Sequence, residues 1–301
     1  MVRKAMMTQE LQLLTNQFQL LKLHLTVQLK QGTTLPAFKG AMWHGLLGES
    51  LKAHSEQCYQ VFYGAHDEQQ PKPYAIAPDG DHKTQWHKEE LLNLELTLFG
   101  DACQLAQHVI DAMSSASLNS NLGIGEKRAA FKLLSVSSAT PSGLRVGLHT
   151  FSLADWMREL PHYTLQQEVA LSFITPVRAK YQNKVLRNQA PELDFWVNQC
   201  LRRLTQLSRF WVLDDQTLFD AIYAQTLSAI PQDLDWQSDC YFEDWVRYST
   251  RHEKKIPIGG LKGQVACYGD VHALLPILKV GELLQVGGKT TFGLGKYRLM
   301  V

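Results

Sequence analysis

The sequence predicts an α+β protein made of two antiparallel sheets, each covered by helices on one face, and three observations carry that expectation. Leu21, Leu23, Leu25, Val27 and Leu29 alternate with Lys22, His24, Thr26 and Gln28, the period of two expected of a strand with one buried face. The elements that follow run strand, helix, strand, strand, helix, strand up to residue 150. A strand-like run then restarts at residues 169–173, and a similar order continues to the C-terminus. That order is the one of the ferredoxin-like unit, in which two helices cover one face of an antiparallel sheet. The expectation is therefore two tandem ferredoxin-like (RRM-like) domains with antiparallel sheets, over residues 1–150 and 165–301.

Each element has its local reason. After the break at Lys30, Gln31 and Gly32, Trp43, Leu46, Leu47 and Leu51 recur at helical spacing, which predicts a helix over 41–54. Residues 74–77 follow two prolines as a short strand, and Leu94, Leu96 and Leu98 alternate with Glu95 and Thr97 as another. Asp101 is read as the N-cap of a helix carrying Leu105, Val109, Ile110 and Met113, which ends in the Ser/Asn-rich stretch 114–121. Residues 131–136 supply the fourth strand. A polar, helix-prone connection over 153–164 leads to the second unit. There, 194–211 and 217–230 read as helices, 241–248 and 264–268 as strands, 271–278 as a helix, and 283–286 and 297–301 as closing strands.

The bulk composition excludes several function classes. Thirty Lys and Arg against 29 Asp and Glu leave a formal charge of +1, so a polyanion surface has to come from local clustering. Five cysteines lie far apart with no Cys-x-x-Cys pair, which argues against a disulfide framework and a zinc site and fits a reducing cytoplasm. Residues 1–17 lack the apolar core of a signal peptide, and no apolar run is long enough to span a bilayer.

The last third carries the most telling motifs: RYSTR at 247–251, IGGLKG at 258–263 and GGKTTFGLG at 287–295. A Rossmann or P-loop site needs its glycines to open a helix whose N-terminus meets phosphate, and the pattern after Gly295 is a strand. In that strand-loop-strand setting, glycines permit positive φ and close approach, and backbone N–H groups and Lys289 can meet a phosphate. A tight core turn with Phe292 merely buried is the other reading of the loop alone.

In order and spacing these three motifs resemble the C-terminal region of the CRISPR-associated repeat-processing endoribonucleases of the RAMP superfamily. FKG at 38–40, GIGEKR at 123–128 and LSFITPVR at 171–178 agree with the resemblance, which spans most of the chain. It implies a metal-independent endoribonuclease that cuts precursor crRNA by attack of the 2′-hydroxyl. It also implies CRISPR repeat RNA or crRNA as partner, with other effector-complex subunits beside it, and neither cofactor nor membrane.

Such a cut requires in-line geometry at one phosphate, proton transfer at the attacking or leaving oxygen, and positive charge around the phosphorane. Histidine suits the proton transfer near neutral pH. Of the eleven histidines, His44 is best placed, read as lying in the first turn of the first predicted helix beside the FKG turn; relatives place a catalytic histidine in or near this helix. A helix N-terminus disfavours the imidazolium and leaves a neutral base. His44, Gly48 and Lys52 follow at i, i+4 and i+8, with Lys39, Lys52 and Tyr63 as further catalytic candidates and His54 a weaker alternative. Equally open are an ordinary boundary role for His44 beside Trp43 and a core aromatic pair for Phe62 and Tyr63.

The basic residues gather as Lys127 and Arg128; Arg178, Lys180, Lys184 and Arg187; and Arg247, Arg251, Lys254 and Lys255. With Gly288, Lys289, Thr290, Gly293 and Gly295 they form the expected RNA-binding set, whose affinity would fall with salt. Arg202, Arg203 and Arg209 on the helix over 194–211 read equally well as solvated surface charges. Tyr181 is a stacking candidate or a buried ring. A catalytically silent RAMP subunit that holds crRNA, and a general ferredoxin-like RNA-binding module, remain the alternatives.

Overall fold

The computed structural model describes residues 2–4, 7–64, 70–80, 82–158, 162–164, 168–187, 190–249 and 254–301. The alternating run forms β1 (Gln19–Leu29), with Leu21, Leu23, Leu25, Val27 and Leu29 buried. Over that face lies α2 (Gly40–His54), which follows the short N-terminal α1 (Gln9–Gln17) and presents Trp43, Leu46, Leu47 and Leu51 to the core. Next come α3 (Glu56–Tyr63), β2 (Tyr74–Pro78), β3 (Leu91–Phe99), α4 (Ala106–Ala116), β4 (Phe131–Thr140) and β5 (Gly143–Val146). The sheet order is β2-β3-β1-β4-β5, with each adjacent pair antiparallel. Without the appended β5, that is the strand order a βαββαβ unit produces when two helices cover one face.

The second unit repeats it. β6 (Glu168–Val177) is followed by α5 (Leu193–Trp211) and α6 (Gln216–Ser228), then β7 (Asp235–Glu243), β8 (Gly260–Tyr268), α7 (Leu275–Leu284) and β9 (Tyr297–Met300). Its order, β7-β8-β6-β9, places the two central strands as in the first sheet. The fold is therefore two tandem ferredoxin-like units with antiparallel sheets.

Three expectations need correction, and one helix was not foreseen. Asp101 does not cap α4; it sits inside a 3-10 turn, Gly100–Leu105, and Leu105 holds the N-cap position. Residues 283–286 are not a strand, because Leu283 and Leu284 end α7, whose buried residues fall all round its axis and give no period to read. The run over 241–248 divides into β7 and a separate strand, Val246–Ser249, paired with Lys254–Pro257. The polar N-terminal stretch contains a helix: Thr8 accepts from the Leu11 N–H at 3.3 Å as its N-cap, and Leu11 and Leu14 pack into the core of the second unit.

Candidate functional site

The glycine-rich loop follows a helix instead of a strand, running from α7 through a 3-10 turn, Thr290–Phe292, into β9. Its course carries it onto β2, the edge strand of the first sheet, where the Gln285 side-chain amide donates to the Ile76 carbonyl at 3.2 Å. Covering an edge strand satisfies groups that would otherwise invite pairing with another chain. The close fit needs glycine at the start of α2: a Cβ on Gly40 would stand 1.9 Å from the Phe292 carbonyl oxygen. Gly293, at φ +89, likewise allows the loop to pass Pro78.

Two arginines and a lysine fasten the loop. The Gly288 N–H donates to the Arg178 carbonyl at 2.8 Å, and the Arg178 guanidinium donates to the Gly259 carbonyl at 2.8 Å. Arg203 donates to the Leu284 carbonyl at 3.1 Å and to Thr290 Oγ1 at 3.2 Å, with its guanidinium 5.4 Å from the Phe99 ring centre. Burial lowers the Arg203 pKa to about 10, which leaves it charged at neutral pH. Just beyond Gly295, Lys296 Nζ reaches Glu95 on β3 at 2.9 Å, and Lys22 on β1 approaches the same carboxylate at 3.5 Å. Burial opposes the charge on Glu95, but Lys22 and Lys296 outweigh it and hold the carboxyl down at about 2.

This docking brings together residues distant in sequence around His44. The imidazole lies 4.1 Å from the Phe292 ring, 4.9 Å from Tyr63 and 6.3 Å from Tyr74, centre to centre. His44 Nδ1 is 3.0 Å from the Tyr74 hydroxyl, and the Tyr63 hydroxyl donates to the His44 carbonyl at 2.7 Å. Burial pushes both phenols above the ordinary tyrosine range, so both stay protonated at neutral pH. His44 occupies the second turn of α2, since the helix begins at Gly40, so the expected first-turn dipole effect gives way to these phenols.

The other expected residues divide. Lys52 is exposed two turns beyond His44, its Nζ 5.7 Å from the Tyr59 ring centre, and Tyr59 stacks on Tyr63 at 5.4 Å. Lys39 is only 1% exposed, turned inward with Nζ 5.3 Å from the Trp86 ring centre. Exposed Arg128 lies 3.7 Å from Glu49 of α2. Lys180 and Lys184 are exposed on a two-strand hairpin, and Arg187 packs 4.6 Å from the Phe242 ring centre. Within the loop Gly288 and Lys289 are exposed, whereas Thr290, Gly293 and Gly295 are buried. Arg247, Lys254 and Lys255 fall on the paired strands Val246–Ser249 and Lys254–Pro257, and their side chains lie outside the described residues, as does all of Arg251. Among the described residues His54 is 6.0 Å from His108, ring centre to ring centre, at the far end of α2.

Sequence reasoning missed Tyr74, whose only local signal is a short strand after two prolines, and it named Arg202 and Arg203 without Gln199 and Gln206, which complete their stripe on α5. These four residues, at i, i+3, i+4 and i+7, face the loop across a cleft of ≈ 350 Å³ that Arg178, Lys180, Gly287, Gly288 and Lys289 also line.

The comparisons converge on one family. The model of the CRISPR-associated endoribonuclease Cas6 matches residues 171–297, and a model described as an N-terminal domain matches residues 18–151. Among solved structures, a Cas6 product complex superposes with TM-score 0.61 at 19% identity, covering 93% of this chain and 100% of that one. The Thermus thermophilus Cas6 superposes with TM-score 0.58 at 17% identity, covering 94% and 99%. A partial Cas6-RT-Cas1–Cas2 complex gives TM-score 0.61 at 14% identity, covering 94% of this chain and 46% of that one. At these identities the likeness carries the fold. No curated protein matches in sequence.

Proposed function

We propose, from the match of residues 171–297 to the Cas6 model, that this chain is a CRISPR-associated endoribonuclease of the Cas6 type, which binds CRISPR repeat RNA and cuts precursor crRNA by attack of the substrate's own 2′-hydroxyl, without a metal ion. The single observation that carries this reading is the cage around His44, assembled from α2, α3, β2 and the glycine-rich loop.

The cage supports a defined tautomer. With the Tyr63 hydroxyl already donating to the His44 carbonyl, this reading takes the Tyr74 hydroxyl oxygen as the acceptor that faces His44 Nδ1. Nδ1 then carries the proton, and Nε2 keeps its lone pair as the general base. In the reaction His44 Nε2 takes the 2′-hydroxyl proton as the 2′-oxygen bonds to phosphorus. The bond from phosphorus to the 5′-oxygen breaks, and that oxygen leaves as a hydroxyl with a proton from water. A cyclic phosphate remains. In this reading Lys52, exposed further along α2, offsets charge at the phosphorane, and Tyr63 holds the helix backbone beneath His44.

The test is incubation with a CRISPR repeat RNA in EDTA, followed by end-group analysis. One discrete cut with a cyclic phosphate and a 5′-hydroxyl is expected, and loss of that cut in His44→Ala would assign the base. Tight binding with no cut would identify a silent holder of crRNA instead.

A further inference from the structure

We propose that the cleft between α5 and the glycine-rich loop is a phosphate-binding track for an unpaired stretch of RNA next to the cut, gripped by Lys180, Arg202 and Lys289. The inference rests on the RNA-cutting reading above and adds a place for the substrate outside the His44 cage.

Charge is the first argument. Arg178, Lys180, Arg202, Arg203 and Lys289 line the cleft with Gln199 and Gln206, and among the described residues its lining contains no carboxylate. Several cations elsewhere in this nearly neutral chain have carboxylate partners: Lys22 and Lys296 with Glu95, Arg209 with Asp214, Lys262 with Glu243, Lys279 with Glu282. Among the described residues no carboxylate forms an ion pair with Arg178, Lys180, Arg202 or Arg203. Solvated surface charges scatter singly, whereas like charges converging in a concavity repel one another until an anion enters.

Division of labour is the second argument. Arg178 and Arg203 spend their guanidinium groups on the Gly259 carbonyl and on Leu284 and Thr290, so they hold the loop in place. Arg202 and Lys180 are exposed at the same cleft. The α5 stripe from Gln199 to Gln206 spans ~10 Å at ~1.5 Å per residue, room for a short run of backbone. At ≈ 350 Å³ the cleft matches a small-ligand pocket. A duplex presents a broad, shallow groove and is read on an open surface, so an unpaired strand fits better. Tyr181, beside Lys180 in the chain and 50% exposed, offers a face for a base. The track adjoins the chemistry through one 3-10 turn: Lys289 lines the cleft and Phe292 touches His44.

Binding of two RNAs tests the track: a repeat stem with unpaired flanks, and the same stem trimmed of them. Fluorescence anisotropy against salt is recorded for wild type, for a Lys180→Ala/Arg202→Ala double variant and for Arg209→Ala on the same helix outside the cleft. With ~0.7 counterions released per single-strand phosphate, losing two contacts flattens the log–log salt slope by ~1.4. Between ~50 and ~200 mM salt, the double variant's affinity for flanked RNA should therefore fall ~7-fold less than the wild type's. The trimmed stem should be bound alike by all three proteins, and Arg209→Ala should match wild type on both RNAs. An unchanged slope on flanked RNA overturns the track, as does equal weakening on the trimmed stem, which would make these residues stem contacts. Should wild type bind without cutting, the chemistry proposed for His44 fails while the slope still decides the track.

Discussion

On one side of the glycine-rich loop Phe292 closes a half-buried aromatic cage around His44, while on the other Lys289 opens onto a cleft lined by arginine and lysine. The cage has phenols and rings around one hydrogen-bonded imidazole; the cleft has exposed cations and amides. A site that moves a proton gains from fixed geometry and a low local dielectric, whereas a site that collects a flexible polyanion gains from long, mobile charges. The loop separates the two tasks by a single 3-10 turn, so what anchors the loop sets the register between them.

Experiments on the cage, the cleft and their shared anchor should separate the tasks. The largest effect is expected from His44→Ala: a loss of ~10²–10⁴ in single-turnover cleavage rate, with RNA affinity and its salt slope kept. Equal losses in rate and affinity would merge the two sides. Next is the anchor at Glu95, whose folded pKa of about 2 lies below the ordinary 4.5. Its contribution is therefore present above about 4.5 and drains away as pH falls toward 2. At ~1.4 kcal/mol per pKa unit the change is on the order of 3 kcal/mol, read by urea denaturation at neutral and acid pH. Glu95→Gln should remove that part of the acid dependence.

Smaller effects follow at the contacts themselves. Gly40→Ala drives a methyl into the Phe292 backbone, which cannot rotate aside, at a cost of ~1–3 kcal/mol by thermal denaturation. With the loop displaced, cutting should fall more than binding does. Tyr74→Phe removes one neutral hydrogen bond, ~1 kcal/mol, so up to ~10-fold in rate. Because it acts on the tautomer of His44, it should also move the acid limb of the pH–rate profile, which a simple loss of packing would leave in place.

The first sheet was legible because β1 has one wet and one dry face, and the alternation of leucines with polar residues records that directly. The second half was less so: α7 is buried all round, and its apolar run reads as readily as helix followed by strand. The hidden α1 has the polar composition of a tail, and only its packing against the second unit makes Leu11 and Leu14 core residues. In the site, His44 and the glycine-rich loop were visible from motif and position, but their contact was not, since 248 residues separate His44 from Phe292. Tyr74 could be found only through tertiary structure. The α5 stripe was different, because Gln199, Arg202, Arg203 and Gln206 show helical spacing in the sequence; what was missing was the wall opposite.

The position of α1 bears on how the chain is made. Leu11, Leu14 and Phe18 share a core with Trp196, Phe219 and Ile222, and the sheet of the first unit leaves the ribosome well before those partners do. Domains emerge N-terminal first, so the nascent chain carries a helix whose Leu11 and Leu14 are unsheltered until α6 is synthesised. A fragment ending near residue 150 would preserve that immature condition, and one beginning at 165 would lack the piece that seals it.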